Sequence, residues 1–232
     1  MYIQSSNFPI ALVIAVVVVG LMVAGIVYGF LQARQRREAM LELAQRLNLD
    51  FDPGTDRAIA ERFSFLKQLA QGSNRYATNV LSGNYQQNDI LAFDYHYETY
   101  THDKNGTHTE HHWFSFFILS LPASFPELTI RREGFFTRIA EVFGYGDINF
   151  ESAEFSKTFN VRSPDKKFAY DVCNAQMMEY LLANRNLSIE IENSVLALAF
   201  TSRLSVEQIE FNLQRLAKIR SLLPEYLFTQ NT

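Results

Sequence analysis

The sequence predicts an α+β architecture: one N-terminal transmembrane helix followed by an antiparallel sheet covered by helices. Three observations carry that expectation. No charged side chain occurs from Met1 to Ala33, and the stretch includes the unbroken apolar run IALVIAVVVVGLMVAGIVYGFL. Between Tyr76 and Leu121 the chain is rich in Tyr, Phe, Thr and Ile punctuated by turn residues, which is strand composition. Beyond Ser163, apolar residues recur at helical spacing behind capping residues. With 232 residues, 47% of them apolar and 20% charged, the chain can bury a substantial core and is unlike a disordered segment.

The apolar run covers residues 10–31, and at about 1.5 Å per residue it matches a hydrocarbon core of about 30 Å. A secretory signal would carry its basic residues before a shorter apolar core. Here Arg34, Arg36 and Arg37 come after it. By the positive-inside bias, residues 1–9 are then a short non-cytoplasmic N-terminus and the rest of the chain is cytoplasmic. The same three arginines are placed to meet anionic lipid head groups. Within the span, Gly25 and Gly29 form a small-xxx-small pair in one sector with Ala11 and Ala15, a pattern that favours self-association as a homodimer.

Residues 32–72 read as juxtamembrane helices. The first, over 34–48, carries Met40, Leu43, Ala44 and Leu47 on one face, and Asp52-Pro53-Gly54 breaks it. A second runs over 56–70 through Ile59, Phe63, Leu66 and Ala70. Residues 73–232 form the α+β domain. It opens with strands over 76–85, 89–101 and 107–121, with turns at Gln86-Gln87-Asn88 and Asn105-Gly106. A short strand at 128–131, a helix over 135–143 and extended segments at 147–151 and 155–162 follow. Ser163-Pro164 starts a helix over 166–172, and Asn174 caps another through Met177 and Leu181. A hairpin is expected around Asn193-Ser194. Ser205 and Gln208 then make a capping box before the stripe Ile209, Leu213, Leu216 and Ile219, which ends at Pro224.

Charge and composition exclude several functions. The net charge of -4 and the lack of a basic tract argue against nucleic-acid binding. The single cysteine, Cys173, allows no intrachain disulfide and no cysteine-based zinc site. There is no phosphate loop, dinucleotide fingerprint, GxSxG elbow or HExxH, so no catalytic activity is assigned and no cofactor is expected. The segment 50–61 resembles a calcium loop, but its glycine stands fifth and Ala58 occupies the ninth position, so an Asp/Pro/Gly turn explains it better.

All five histidines lie between His96 and His112. With Asn105-Gly106 as a two-residue loop, Lys104 faces Thr107, His111 faces Tyr100, and His111 lies diagonal to His102. His102 and His111, with Glu98 nearby, are the candidate metal ligands, and His96 lies about 20 Å along the strand from His102. A metal-dependent hydrolase built on that hairpin is the enzymatic alternative. Tyr95, Tyr97, Phe114 and Phe116 suggest a third reading, an aromatic face for a lipid or other apolar ligand.

Taken together, the anchor with Arg34 to Arg37, the strand LAFDYHY at 91–97, Leu121-Pro122, DINFES at 147–152 with Glu154-Phe155, Phe159-Asn160-Val161, Phe168-Ala169-Tyr170 and Met177-Met178 resemble a bacterial family of uncharacterised membrane-anchored proteins. The likeness covers most of residues 10–222. It implies a bacterial inner-membrane protein and carries over no site residue. The expected function is therefore that of a single-pass membrane-anchored protein with a cytoplasmic domain that binds a protein or small ligand.

Overall fold

The computed structural model describes residues 8–104, 106–132 and 146–229, so the helix expected over 135–143 lies outside the described residues. The first element, α1 (Phe8–Leu47), is one continuous helix of 40 residues, about 60 Å long at 1.5 Å per residue. Its two halves have different surroundings. Leu12, Val16, Val19, Val23, Ile26 and Phe30 are exposed, whereas Met40, Leu43 and Ala44 are buried in the domain core. The exposed half is apolar and long enough to cross a membrane. The helix stops where Asn48 takes a left-handed φ of 54°. There the amides of Asn48 and Leu49 donate to the carbonyls of Gln45 and Ala44, a Schellman closure with asparagine in the place usual for glycine.

Six antiparallel strands follow: β1 (Asp50–Asp56), β2 (Ser73–Tyr85), β3 (Asn88–Asp103), β4 (Gly106–Arg132), β5 (Phe159–Arg162) and β6 (Ser188–Ala199). β1 to β4 are a meander. β4 is the long central strand: β3 and β5 follow one another along one edge, and β6 runs along the other. The expected strand at 128–131 is the far end of β4, which continues past Pro122 with its register shifted between Ser120 and Leu128. The hairpin expected around Asn193-Ser194 is a bend inside β6. Asn193 reaches a φ of 52° and stands opposite Phe125, so irregularities in the two strands face each other and pairing continues on both sides.

Asp52-Pro53-Gly54 likewise falls within β1, at a bulge where the Gly54 amide donates to Asp52 Oδ1 (2.7 Å). The helix expected over 56–70 shrinks to α2 (Ala58–Arg62) followed by single turns. Phe63, Leu66 and Leu69 recur every three residues, and the amides of Leu66 and Leu69 donate to the carbonyls of Phe63 and Leu66 as in tight three-residue turns. These three, with Ile59 and Ala60, cover one face of the sheet by packing on Ala77, Phe93, Tyr95, Phe114, Phe116 and Ile118.

The other face carries the larger core. There the lower half of α1 joins α4 (Lys166–Val172), α5 (Ala175–Ala183) and α6 (Val206–Leu222) over Leu81, Ala92, Phe117, Leu119 and Leu128. The caps largely follow the sequence. Asn174 accepts from the Met177 amide, and Gln208 Oε1 accepts from the Ser205 amide. Asp165 replaces Ser163 as the cap of α4, accepting from the Phe168 amide, while Ser163 Oγ donates to the Glu127 carbonyl. Where the chain was expected to be extended, α3 (Ala153–Thr158) forms instead, because Ser152 Oγ accepts from the Phe155 amide. A last short helix, α7 (Tyr226–Thr229), seats Leu227 in the core.

Two buried charges fasten the covering layers. Arg36 of α1 reaches Asp94 of β3 in a bidentate pair, Nε to Oδ2 and Nη2 to Oδ1, both 2.7 Å. The Arg36 and Asp94 side chains are 14% and 1% exposed, so both are largely desolvated. Asp94 also accepts from Asn79 Nδ2 and Ser115 Oγ, and Arg36 Nη1 donates to the Leu204 carbonyl. On the opposite face, Glu190 of β6 accepts from the Lys67 amide at 2.6 Å and stands 3.6 Å from Arg131. Burial pushes its carboxyl up to about 7.

Arg36→Leu, which leaves the Asp94 carboxylate buried without its cation, is expected to lower unfolding stability by about 3 kcal/mol in denaturant titrations. Adding Asp94→Asn is expected to recover part of that loss, and additive losses in the double-mutant cycle would contradict the coupling. For Glu190, the unfolded carboxyl releases its proton near its ordinary value of 4.5, while the folded one holds it up to about 7. Stability should therefore fall as pH rises through that window, by an amount on the order of 3 kcal/mol, and level off above it. Glu190→Gln should flatten this part of the pH profile, and an unchanged slope would refute the assignment.

Candidate functional site

The lower half of α1 lies on the sheet as far as Arg36, and the upper half leaves it. A cleft of about 730 Å³ opens in the angle, between Gly29, Gln32, Ala33, Arg36 and Arg37 of α1 and a wall made by Pro53, Thr78, Asn79, Trp113 and Arg203. Its upper end reaches Gly29, inside the apolar run. Its floor is polar. Asn79, at a register shift in β2 with a φ of 52°, turns its amide onto Asp94 Oδ2 (3.0 Å). The Arg203 guanidinium stands 5.6 Å from the centre of the Trp113 ring.

The three cleft arginines have different electrostatic settings. Arg36 is neutralised by Asp94 and serves as a structural bolt. Arg37 and Arg203 are exposed, and neither forms an ion pair among the described residues. The cleft therefore presents net positive charge beside an indole, where an apolar helix emerges.

Arg34 points elsewhere and pairs with Glu38 one turn on, both exposed. Gly25 and Gly29 are open: a methyl group added at either meets nothing within 4 Å. The pair is thus uncovered in this single chain, and Gly29 belongs to the cleft.

On the same face of β3 and β4, beyond Trp113, lies the histidine cluster. Its register differs from the expected one because the hairpin loop sits one residue earlier. Asp103 stands opposite Gly106, which places Glu98 opposite His111 and His102 opposite Thr107. This moves the partnership of His111 by two residues. The ring of His102 meets Thr107 Oγ1 at 2.8 Å, four residues along β4 from His111, or roughly 13 Å of strand. His111 instead meets His96, Nδ1 to Nε2 at 3.1 Å, and Glu98 Oε1 at 3.4 Å. The structure thus separates His102 from His111 and replaces it with His96. His108 pairs with Asp103, and His112 stacks on Tyr97 and meets Thr99 Oγ1.

His96 is buried between Tyr76, stacked at 4.5 Å, and Trp113 at 4.6 Å, and burial holds its imidazole below its ordinary pKa. Glu98 accepts from Asn74 Nδ2 (2.6 Å) and from Tyr100 Oη (2.8 Å), and these hydrogen bonds hold its carboxyl below the usual range. Gly72 lets the chain pass close by. It has a φ of 61°, and a Cβ there would lie 2.3 Å from the Glu98 carbonyl oxygen.

The aromatic face proposed for an apolar ligand is filled. Phe63, Leu66 and Leu69 pack on Tyr95, Phe114 and Phe116, and the Tyr95 hydroxyl donates to the Leu69 carbonyl at 2.7 Å. Cys173 is buried in the core, which pushes its thiol pKa up. Asn79, Trp113 and Arg203 escaped the sequence reading as cleft residues, because strand pairing brings them together and α1 supplies the facing wall.

No family model matches the chain, and no curated protein matches it. Among solved structures, the crystal structure of the mycobacterial trehalose monomycolate transport factor A, TtfA, superposes with a TM-score of 0.57 at 14% identity, covering 83% of this chain and 96% of that one. A likeness at that identity shows a shared fold.

Proposed function

We propose that this chain is a single-pass protein of a bacterial inner membrane, with its N-terminus outside, whose cytoplasmic domain receives an anionic lipid head group in the cleft between α1 and the sheet. The observation that carries the reading is the position and chemistry of the cleft: Arg37, Arg203 and Trp113 face a space of about 730 Å³ whose upper end is the apolar run itself. A phosphate there would meet two guanidinium groups, and Trp113, 37% exposed, would lie at the depth where indoles favour the bilayer interface. Acyl chains could remain in the bilayer beside the upper half of α1. Two further points support the reading. The chain shares its fold with a trehalose monomycolate transport factor, and its motifs resemble a family of bacterial membrane-anchored proteins. Nothing in this reading requires catalysis.

The test is lipid retention by the full chain, released from detergent micelles in native mass spectrometry after equilibration with phosphatidylglycerol or phosphatidylcholine. Phosphatidylglycerol should be retained preferentially. Arg37→Glu combined with Arg203→Glu should weaken that retention by roughly tenfold or more, at about 1 kcal/mol per basic residue removed. Equal retention of the two lipids, or an unaffected double variant, would refute the head-group site. Orientation is checked separately: alkaline phosphatase fused after Thr232 should be inactive, and an active fusion would place the domain outside.

A further inference from the structure

Three ligating atoms on neighbouring strands converge from two different supports. His96 Nε2 lies 3.1 Å from His111 Nδ1, Glu98 Oε1 lies 3.4 Å from the same nitrogen, and all three atoms fall within 4.8 Å of one another. Zinc bound at about 2.0–2.1 Å by nitrogen and oxygen holds adjacent ligand atoms of a tetrahedron about 3.3 Å apart. Two of the spacings already present, 3.1 and 3.4 Å, are close to that edge length. We infer that His96, Glu98 and His111 form a binding site for one divalent transition-metal ion, Zn²⁺ foremost, with water completing the coordination on the open side.

The surroundings of the three groups support the assignment. His96 Nδ1 lies 3.2 Å from the Asn74 carbonyl oxygen. A proton on Nδ1 donated to that carbonyl leaves Nε2 with a free lone pair directed at the cluster, the outer-sphere arrangement that fixes a metal-binding imidazole. The side chain of the same Asn74 donates to Glu98 Oε1, and Tyr100 Oη donates to Oε2. Asn74 adopts a left-handed φ of 47°, a conformation asparagine tolerates better than most side chains, and in it one residue orients two ligands. Tyr76 and Trp113 clamp the His96 ring between them. His111, by contrast, has a side chain 58% exposed, which supplies the entry path and the open coordination position. Two nitrogens and one carboxylate oxygen suit zinc and its neighbours, whereas calcium and magnesium favour all-oxygen shells.

The assignment does not rest on the lipid-cleft reading, although Trp113 borders both places, and its test uses metal alone. The untagged full chain in detergent, stripped with chelator and dialysed, is titrated with Zn²⁺ by calorimetry and with Co²⁺ by visible absorption. One equivalent should bind, and Co²⁺ should show the intense bands of a four-coordinate ion, which Zn²⁺ then displaces. His111→Ala, at an exposed position that leaves the core intact, removes a direct ligand and should weaken Zn²⁺ binding by at least the roughly 100-fold that loss of an outer-sphere partner can cost. Glu98→Gln should weaken it in the same direction, with circular dichroism confirming the fold of each variant. His102→Ala should leave affinity unchanged. Absence of saturable uptake by the wild-type chain would overturn the assignment, as would wild-type affinity in His111→Ala or an equal loss in His102→Ala.

Discussion

Asp94 sits in the middle of the sheet on its helix-covered face, surrounded by apolar rows, and a bare carboxylate there would cost several kcal/mol. Four donors compensate it: two nitrogens of Arg36, the amide of Asn79 and the hydroxyl of Ser115. Because one of these partners belongs to α1, meeting Asp94's need also sets where the helix lies along the sheet. Met40, Leu43 and Ala44 then enter the core one to two turns further on. The same network reaches the start of α6, since Ser115 Oγ accepts from the Leu204 amide while Arg36 donates to the Leu204 carbonyl. The angle at which the exposed half of α1 departs, and hence the cleft beneath it, follows from this one buried pair.

Past that pair the sheet face changes character. From Ile90 to Ala92 it is core, at Asp94 it is a buried polar network, and from His96 to His102 no helix among the described residues covers it. The proposed head-group cleft and the proposed metal site are neighbours on this uncovered stretch, joined through Trp113, which lines the first and packs its ring on His96 of the second. Substitution of Trp113 would therefore disturb both sites at once, whereas Arg37 and His111 each belong to one.

Much of the fold was legible because local chemistry and tertiary placement agree. The apolar run, the strands up to Leu121, the asparagine cap of α5 and the capping box of α6 all appear at their expected places. The failures have a common cause, which is that a local turn signal does not say what the chain pairs with next. Asp52-Pro53-Gly54 and Asn193-Ser194 carry turn chemistry, yet both are absorbed as irregularities because a neighbouring strand continues past them. The Gly106 turn was visible, but placing it one residue late displaced every cross-strand pair by two and linked His111 with His102 instead of His96. The residues of the cleft were beyond reach for a different reason. Arg37, Asn79, Trp113 and Arg203 come from four separate segments, and no spacing rule connects them.

β4 also bears on how the chain acquires its structure. Its inner stretch pairs on one side with β3, which precedes it immediately, and on the other with β6, Phe116 standing opposite Ala199. The second pairing spans some of the longest loops in the chain, and contacts of such separation form slowly. During synthesis, the apolar sequence Phe116-Phe117-Ile118-Leu119 thus has one hydrogen-bonding edge open until β6 emerges. An unpaired apolar edge of this kind invites pairing with other chains. In the finished fold that edge is closed by β6, so the last strand of the sheet is also the one that removes its most apolar open edge.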